Sequence, residues 1–238
     1  SLRCAYGWKS WSAGRCAGSR SFVPPPKLPR VNSAVAEGPL EDTSPVIVKV
    51  GGSLAETGRL RGVLALIAGA TRPVIVVPGG GQFADKVRDL QNALRFDDTS
   101  AHRLAILGMH QMAELFFTMA PRMAPADSIE GFTRVLATGQ VPVWLPWRMC
   151  QDDKDIPADW TITSDGLAAR LAERLGGLDV VLLKSVTAAP GSSAQDLAEE
   201  GVVDLAFPGI VERARLSWQV LGPGDDTVLA RLIGAHHP

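Results

Sequence analysis

From Val46 onwards the sequence alternates between short β-branched runs and longer stretches with helical periodicity. The runs, such as Val46–Val50 and Val180–Leu183, are apolar at nearly every position and not at every second one. This pattern is typical of strands that are buried on both faces, as in a parallel sheet covered by helices. The sequence therefore predicts an α/β fold: a three-layer α/β/α sandwich with a mainly parallel central sheet.

The same patterns predict the other elements along the chain. Further strands are expected at residues 73–78, 141–147 and 216–221. Helices are expected near residues 59–70, 83–95, 101–120, 127–137, 164–175 and 205–215, with a short element at 226–233 and a loop with room for one short helix at 187–201. The helix at 101–120 is apolar on more than one side, which favours burial in the core or in a subunit interface.

Residues 1–44 differ in composition from the rest of the chain. They carry six Lys or Arg against three acids, many Ser and Gly, and the run Pro24–Pro26. Because they show neither strand alternation nor helical periodicity, we expect a disordered or non-native leader at 1–44, followed by a folded domain at 45–238. A mitochondrial or plastid transit peptide is the alternative, but amphipathic periodicity is missing. Because the sequence lacks an initiator Met, a fragment or an over-extended gene start explains this segment at least as well as a targeting signal does.

Composition and charge exclude several classes of protein. No apolar run approaches the roughly 20 residues that a membrane-spanning helix needs. Three cysteines without paired spacing (Cys4, Cys16 and Cys150) form neither a disulfide framework nor a zinc site. A net charge of −1 does not provide the basic face of a nucleic-acid-binding protein. We therefore expect a cytoplasmic protein that binds neither membranes nor nucleic acid.

The first candidate site for chemistry follows the strand Val46–Val50. This strand contains Lys49 and runs directly into Gly51, Gly52 and Ser53, which we call the first glycine loop. Glycines allow backbone amides to approach a phosphate closely, and the lysine adds a compact positive charge. A Gly-Gly turn beside an exposed lysine explains the same residues, and this segment alone does not distinguish the two interpretations.

A second segment of the same design favours the phosphate interpretation. A strand at 73–78 runs into Gly79, Gly80 and Gly81, the second glycine loop, which then opens a helix. Three consecutive glycines suit an anion that is held on backbone amides at a helix N-terminus. Neither loop has the spacing of a Walker motif or of a dinucleotide-binding fingerprint. Two such loops predict two phosphate positions that face each other, as a phosphoryl donor and acceptor require.

Three motifs together resemble the amino acid kinase superfamily, which includes aspartate, acetylglutamate, uridylate and isopentenyl phosphate kinases. They are the residues 49–53, 78–81 and 163–165, in the order and spacing of that family. Within it, the chain is most similar to the aminomethylfuran phosphate kinase branch. The stretches that carry this similarity are 80–84 with 87–88, 101–106, 160–165 and 207–208.

The resemblance implies a role for each motif. Lys49 would contact the transferring phosphoryl group, the first glycine loop would hold the donor phosphates and the second would hold the acceptor end. Asp165 would orient the lysine or lysines, and ATP with Mg²⁺ would be the cofactors, with no metal ligand assigned on the protein. From the residues alone, Asp165 fits a helix N-terminal cap at least as well.

Three further side chains are candidates for binding. Arg88 lies about two turns into the helix that the second glycine loop opens, where its guanidinium could grip an acceptor phosphate, although a solvated surface arginine is the alternative. His102 could donate to the acceptor or be a neighbour of a helix cap. Lys184 ends the strand at 180–183 and could reach the donor phosphates and take part in catalysis, or could extend into solvent.

The segment after that strand departs from the family pattern. Many members carry a Thr-Asp-Val-Asp-Gly segment there, whereas this chain reads Lys184-Ser185-Val186-Thr187-Ala188. Its contacts to a nucleotide therefore differ from the family pattern.

Together these features predict an ATP-dependent kinase that converts a small phosphorylated acceptor into a diphosphate. Aminomethylfuran phosphate is the first choice of acceptor, and a uridylate, an isoprenoid phosphate or an amino-acid carboxylate is the alternative. A nonenzymatic nucleotide- or anion-binding subunit of the same fold is the alternative of a different class. The resemblance also implies a homodimer or a higher homo-oligomer.

Overall fold

A computed structural model describes residues 44–236, which form three layers with a parallel sheet between two layers of helices. The predicted fold class is confirmed. The predicted leader at 1–44 lies outside the described residues, except for its last residue.

The central sheet has six strands in the order β3-β4-β2-β1-β5-β6, and every pairing between them is parallel. The strands are β1 (Val46–Val50), β2 (Val74–Pro78), β3 (Met123–Ala126), β4 (Val141–Trp144), β5 (Asp179–Leu183) and β6 (Trp218–Leu221). All residues of β1 and β2 are buried. This explains why their sequences are continuous apolar runs, interrupted only by Lys49 and by the final proline.

Nine α-helices cover this sheet within residues 44–236, and a single 3-10 turn at Gly52–Leu54 follows β1. The helices are α1 (Leu60–Ala68), α2 (Gly81–Leu94), α3 (Asp98–Met119), α4 (Ile129–Ala137), α5 (Trp147–Cys150), α6 (Ser164–Arg174), α7 (Ala194–Glu199), α8 (Phe207–Ala214) and α9 (Asp226–Ile233). Local capping starts several of them: the carboxylate of Asp97, for example, accepts from the amide of Ser100 at 2.8 Å at the beginning of α3. None of the described helices is both long and apolar enough to cross a bilayer.

Each face of the sheet has its own hydrophobic core. Alternate residues of β1 contribute to the two cores: Ile47 packs on the side of α6 and α8, and Val48 packs on the side of α1 and α9. Lys49 is two residues after Ile47, so its side chain lies on the α6 side. The long helix α3 contributes to both cores, which confirms its predicted burial on more than one side.

Two predictions about elements were wrong. The strand β3 was missed because it is a short edge strand that contains Pro125, and proline within a run argues against a strand from sequence alone. The strand predicted at 141–147 ends at Trp144, and the short helix α5 begins at Trp147, directly after Pro146. Proline fixes a backbone angle that suits the start of a helix, which explains this boundary. The other predicted elements are present with small shifts at their ends.

The sheet order creates a crevice at β1. The chain leaves β1 to form β2 on one side and returns later to form β5 on the other. At such a switch point the connections leave the sheet in opposite directions, and ligands of open α/β sheets bind outside the carboxyl ends of the strands there. A ligand site is therefore expected among the residues that follow β1, β2 and β5.

Candidate active site

A cavity of about 460 Å³ lies at the carboxyl ends of β1, β2 and β5. Its lining includes Lys49 and Lys184 at the ends of two strands, members of both glycine loops, and the N-terminus of α6. The structure thus brings both loops to the same cavity, as the pairing of a phosphoryl donor and acceptor requires.

The two glycine loops touch each other at their backbones. A Cβ atom on Gly52 would overlap the backbone of Gly81, and a Cβ atom on Gly79 would lie 2.6 Å from the amide nitrogen of Gly52. Gly81 also has a φ of +51°, a left-handed conformation that favours glycine. These positions are glycines because any side chain would push the two loops apart.

Not every amide of the loops is available to a ligand. Gly51 donates its N–H to the carbonyl of Leu183 at 3.1 Å, and Gly79 donates to the carbonyl of Val50 at 2.8 Å, so both amides extend the sheet. These two amides, to which the resemblance gives a role in holding phosphate, are therefore already used as donors within the sheet. Of the six amides in the two glycine loops, the other four, those of Gly52, Ser53, Gly80 and Gly81, donate to no backbone carbonyl among residues 44–236.

Lys49 and Lys184 converge on one carboxylate. The Nζ atom of Lys184 lies 2.5 Å from Oδ2 of Asp165. The Nζ atom of Lys49 lies 2.8 Å from Oδ1, an ion-pair distance reached without hydrogen-bond alignment. Lys49 and Asp165 are 5% and 3% exposed, so water screens these charges little. Asp165 therefore does not cap α6 with its own side chain but holds two ammonium groups in place.

The protonation of this trio follows from its burial and its charges. Burial favours a neutral Asp165, but Lys49 and Lys184 outweigh it, so the pKa of Asp165 lies below its usual range. Burial, followed by the neighbouring charge of Lys49, lowers the pKa of Lys184, and Asp165 opposes this shift. The trio has one more positive than negative charge when all three groups are ionised, which suits an anionic ligand.

The segment after β5 is fastened to the first glycine loop and to α9. The hydroxyl of Ser53 donates to that of Ser185 at 2.9 Å. Arg59, which the sequence analysis did not single out, donates to the carbonyls of Lys184 and Gly222 at 3.1 and 3.0 Å and pairs with Asp226 at 2.6 Å. These contacts hold the end of β5 against the first glycine loop and α9. No sequence motif marks Arg59, because its partners lie more than 120 residues away.

Arg88 lines the cavity opposite the lysines and is held by an aromatic ring. Its guanidinium carbon lies 4.4 Å from the ring centroid of Trp160, and a looser ion pair at 3.6 Å joins it to Asp85. The ring is fixed in turn, because its Nε1–H donates to Gln91 at 2.6 Å. Arg88 remains half exposed, so it is pre-oriented yet free to bind an anion.

His102 lies in the wall of the same cavity. It is 8% exposed, although it belongs to the first turns of α3. Burial lowers the pKa of His102 below its ordinary value, while a hydrogen bond to the backbone of Asp159 opposes the shift. A neutral imidazole at pH 7 can donate or accept one hydrogen bond toward a ligand.

The described residues do not form a dedicated magnesium site. No three His, Cys, Asp or Glu side chains come together among residues 44–236. The two carboxylates deepest in the cavity are already engaged, Asp165 by lysines and Asp204 by backbone amides. Magnesium is commonly bound by substrate phosphates and water with few protein carboxylates, so a nucleotide would carry the ion into this cavity on its phosphates.

Comparison with known proteins places this geometry among kinases. Residues 44–188 match the sequence profile of the amino acid kinase family. A [5-(aminomethyl)furan-3-yl]methyl phosphate kinase of Methanocaldococcus jannaschii is 26% identical over 204 residues, covering 80% of this chain and 94% of that protein.

Solved structures of kinases share the fold. The uridylate kinase of Archaeoglobus fulgidus superimposes with a TM-score of 0.56 at 19% identity, covering 79% of this chain and 95% of the other. An isopentenyl phosphate kinase superimposes with a TM-score of 0.53 at 15% identity, covering 81% and 98%.

Proposed function

This chain is a kinase that belongs to the amino acid kinase family, and from that premise we propose that it transfers the γ-phosphoryl group of ATP to a small phosphorylated acceptor. The product is a diphosphate. The observation that carries the proposal is the convergence of Lys49 and Lys184 on Asp165 beside both glycine loops. Two cations and two sets of amides around one cavity suit the neutralisation of two anions that must approach each other.

The donor, ATP, binds on the side of the first glycine loop. The free amides of Gly52 and Ser53 bind the donor phosphates, and Lys184 neutralises their charge. Lys49 contacts the γ-phosphoryl group as it moves, and Asp165 holds both ammonium groups at the required position. Magnesium carried on the nucleotide phosphates would add charge neutralisation when bound, with no protein carboxylate assigned to hold it.

The acceptor lies on the side of the second glycine loop. The amides of Gly80 and Gly81 and the guanidinium of Arg88 bind its phosphate. One of its oxygens forms a bond to the γ-phosphorus, and the bond from that phosphorus to the β,γ-bridging oxygen breaks, so ADP leaves with the electron pair. An ionised phosphate needs no strong general base, which agrees with a site built from cations and amides.

We propose aminomethylfuran phosphate as the acceptor. Support comes from the relative that is 26% identical and from three of the four stretches that resemble that branch. These stretches contribute Arg88, His102 and Trp160, and all three residues line the cavity. Ile106, Met109 and Ile162 give the cavity an apolar wall that suits a flat ring, while Arg88 takes the phosphate.

An acceptor panel tests the proposed function. The purified chain with ATP and Mg²⁺ is assayed for ADP release with aminomethylfuran phosphate, uridylate, isopentenyl phosphate and an amino acid, and ³¹P NMR identifies the product. We expect the highest kcat/KM with aminomethylfuran phosphate and a diphosphate signal. Turnover of the amino acid alone, giving an acyl phosphate, would refute the proposed acceptor class. A higher kcat/KM for uridylate or isopentenyl phosphate would refute the proposed acceptor.

The proposal includes the homo-oligomer that the family resemblance implies. Leu104 and Leu107 lie one turn apart on α3 and are each 42% exposed, and an interface with a second copy of the chain would cover them. Light scattering of the purified chain tests the prediction, since a monomer at micromolar concentration would contradict it.

A further inference from the structure

Asp204 joins the N-termini of two helices with one carboxylate. Its Oδ2 atom accepts from the amides of Thr163 and Gly166 at 2.7 Å each and from the hydroxyl of Thr163 at 2.9 Å. Its Oδ1 atom accepts from the amide of Phe207 at 3.1 Å. One side chain therefore accepts hydrogen bonds from backbone amides at the start of both α6 and α8.

The helix α6 has no cap of its own. Thr163, the residue before the helix, is extended, and its side chain accepts no amide of the first turn. Asp204 takes this place from 41 residues further along the chain. Gly166 leaves room for this arrangement, because a Cβ atom there would lie 2.7 Å from Oδ1 of Asp204.

The turn that Asp204 holds is the turn that carries Asp165. The two captured amides belong to Thr163 and Gly166, which lie on either side of Asp165 in the sequence. Asp165 must place one oxygen toward each of Lys49 and Lys184. A small rotation of the first turn of α6 would therefore break at least one of these ion pairs.

We propose that Asp204 is a positioning residue of the phosphoryl-transfer site, which holds the first turn of α6 so that Asp165 engages both lysines. This inference rests on the proposed function. Asp204 does not need to contact either substrate, because it acts through Asp165.

The charge of Asp204 also reaches this site. Among the described titratable groups, Asp204 faces Asp165 across the turn and Lys184 at the end of β5. Burial and then Asp165 raise the pKa of Asp204, and its hydrogen bonds oppose the shift. Removing the charge would lower the pKa of Asp165, since a like charge is lost, and also that of Lys184, since an opposite charge is lost. Both limbs of a pH–rate profile should then move to lower pH.

Three variants test the proposal. Asp204→Asn keeps a carbonyl acceptor for part of the turn, so we expect kcat to fall about tenfold. Asp204→Ala removes the cap, and we expect a fall of about a hundredfold with little change in KM for ATP. Gly166→Ala keeps the Asp204 side chain but displaces its carboxylate, so kcat should fall here too. Asp196→Asn is the matched control, because Asp196 caps α7 outside the cavity, and its kcat should stay unchanged.

Two measurements separate positioning from mere stabilisation. The first is the pH–rate profile of Asp204→Asn, which should shift to lower pH as a whole. The second is the pKa of Lys184, followed without substrate by ¹³C NMR of its ε-carbon, which should be lower in Asp204→Asn. If the variants lose thermal stability while kcat and the pKa of Lys184 stay as in the parent chain, the proposal is overturned. A parent chain that turns over no acceptor contradicts the proposed function, while the NMR measurement still decides the role of Asp204.

Discussion

Replacing Lys49 with Met should lower kcat strongly while leaving the free energy of unfolding nearly unchanged. The ammonium of Lys49 lies 2.8 Å from Asp165, and Lys184 lies 2.5 Å from the other oxygen of the same carboxylate. Methionine keeps most of the length and volume of the side chain but carries no charge. The substitution therefore leaves Asp165 with one partner in place of two.

The two effects of this substitution differ in size. Breaking a buried ion pair usually costs about 3–5 kcal/mol, because a charge is left without a partner. Here Asp165 keeps Lys184, the trio changes from one excess positive charge to none, and the repulsion between the two lysines is relieved. We therefore expect the free energy of unfolding to change by less than about 1.5 kcal/mol, the range of a volume-conserving core substitution. A positioned charge that acts on the transition state is worth about a hundredfold to a thousandfold in kcat.

The assay compares Lys49→Met with Lys86→Met, which removes an exposed lysine of α2 that does not line the cavity. We expect ADP release by Lys49→Met to fall by at least a hundredfold, and urea denaturation to show nearly unchanged stability. Lys86→Met should change neither. If Lys49→Met unfolds at a much lower urea concentration, or keeps more than a tenth of the parent kcat, the role derived for Lys49 is refuted.

Three further predictions concern the same structure. Asp165→Asn leaves two buried ammonium groups without a carboxylate, so urea denaturation at pH 7 should show a loss of about 3 kcal/mol, and the loss should shrink at higher pH as Lys184, whose pKa is lowered by burial, deprotonates. Gly52→Ala forces the two glycine loops apart, and kcat should fall about a hundredfold; Gly62→Ala, whose Cβ would meet no atom within 4 Å, should leave kcat unchanged. His110 accepts from the amide of Trp147 at 3.1 Å, and burial lowers the pKa of His110 in the folded chain. The neutral imidazole therefore contributes to the free energy of unfolding above the pKa that His110 has in the unfolded chain, and this contribution is lost as the pH falls through its pKa in the folded chain. The free energy of unfolding should thus fall from pH 7 to 5, and it should fall less in His110→Asn.

The half of the cavity proposed for the donor, formed by Lys49, Lys184 and the first glycine loop, was largely predictable from the sequence. Strands buried on both faces have a strong local pattern, so β1, β2 and β5 were located, and parallel strands place their carboxyl ends at one edge. Lys49 and the first glycine loop follow from that geometry. The role of Asp165 in orienting the lysine or lysines followed from the family resemblance, because nothing in the local sequence distinguishes Asp165 from an ordinary helix cap. That Lys184 is one of its partners is seen only in the structure.

The parts that were missed depend on contacts between distant segments. Asp204 stands three residues before Phe207, which begins α8 and is followed by Pro208, and this spacing is a recognisable capping signal for α8. Its second role at α6 involves residues about 40 positions earlier and has no local signal. The two glycine amides that extend the sheet were assigned to phosphate for the same reason, since the carbonyl acceptors belong to neighbouring strands.

The two halves of the cavity are built in different ways, and this bears on which residues choose the acceptor. Lys49 lies in β1 and Lys184 directly follows β5, and these strands pair over five residues, so the half proposed for the donor has the rigidity of the sheet. Arg88 lies on α2, in which Val87 is the buried residue, and Trp160 lies on the segment before α6. These elements can change side chains without disturbing the sheet, because few of their contacts belong to the core. Kinases named for uridylate and for isopentenyl phosphate share this fold at under 20% identity. Acceptor preference should therefore respond to changes on α2 and the Trp160 segment, while changes at the lysines and Asp165 should lower the rate with every acceptor.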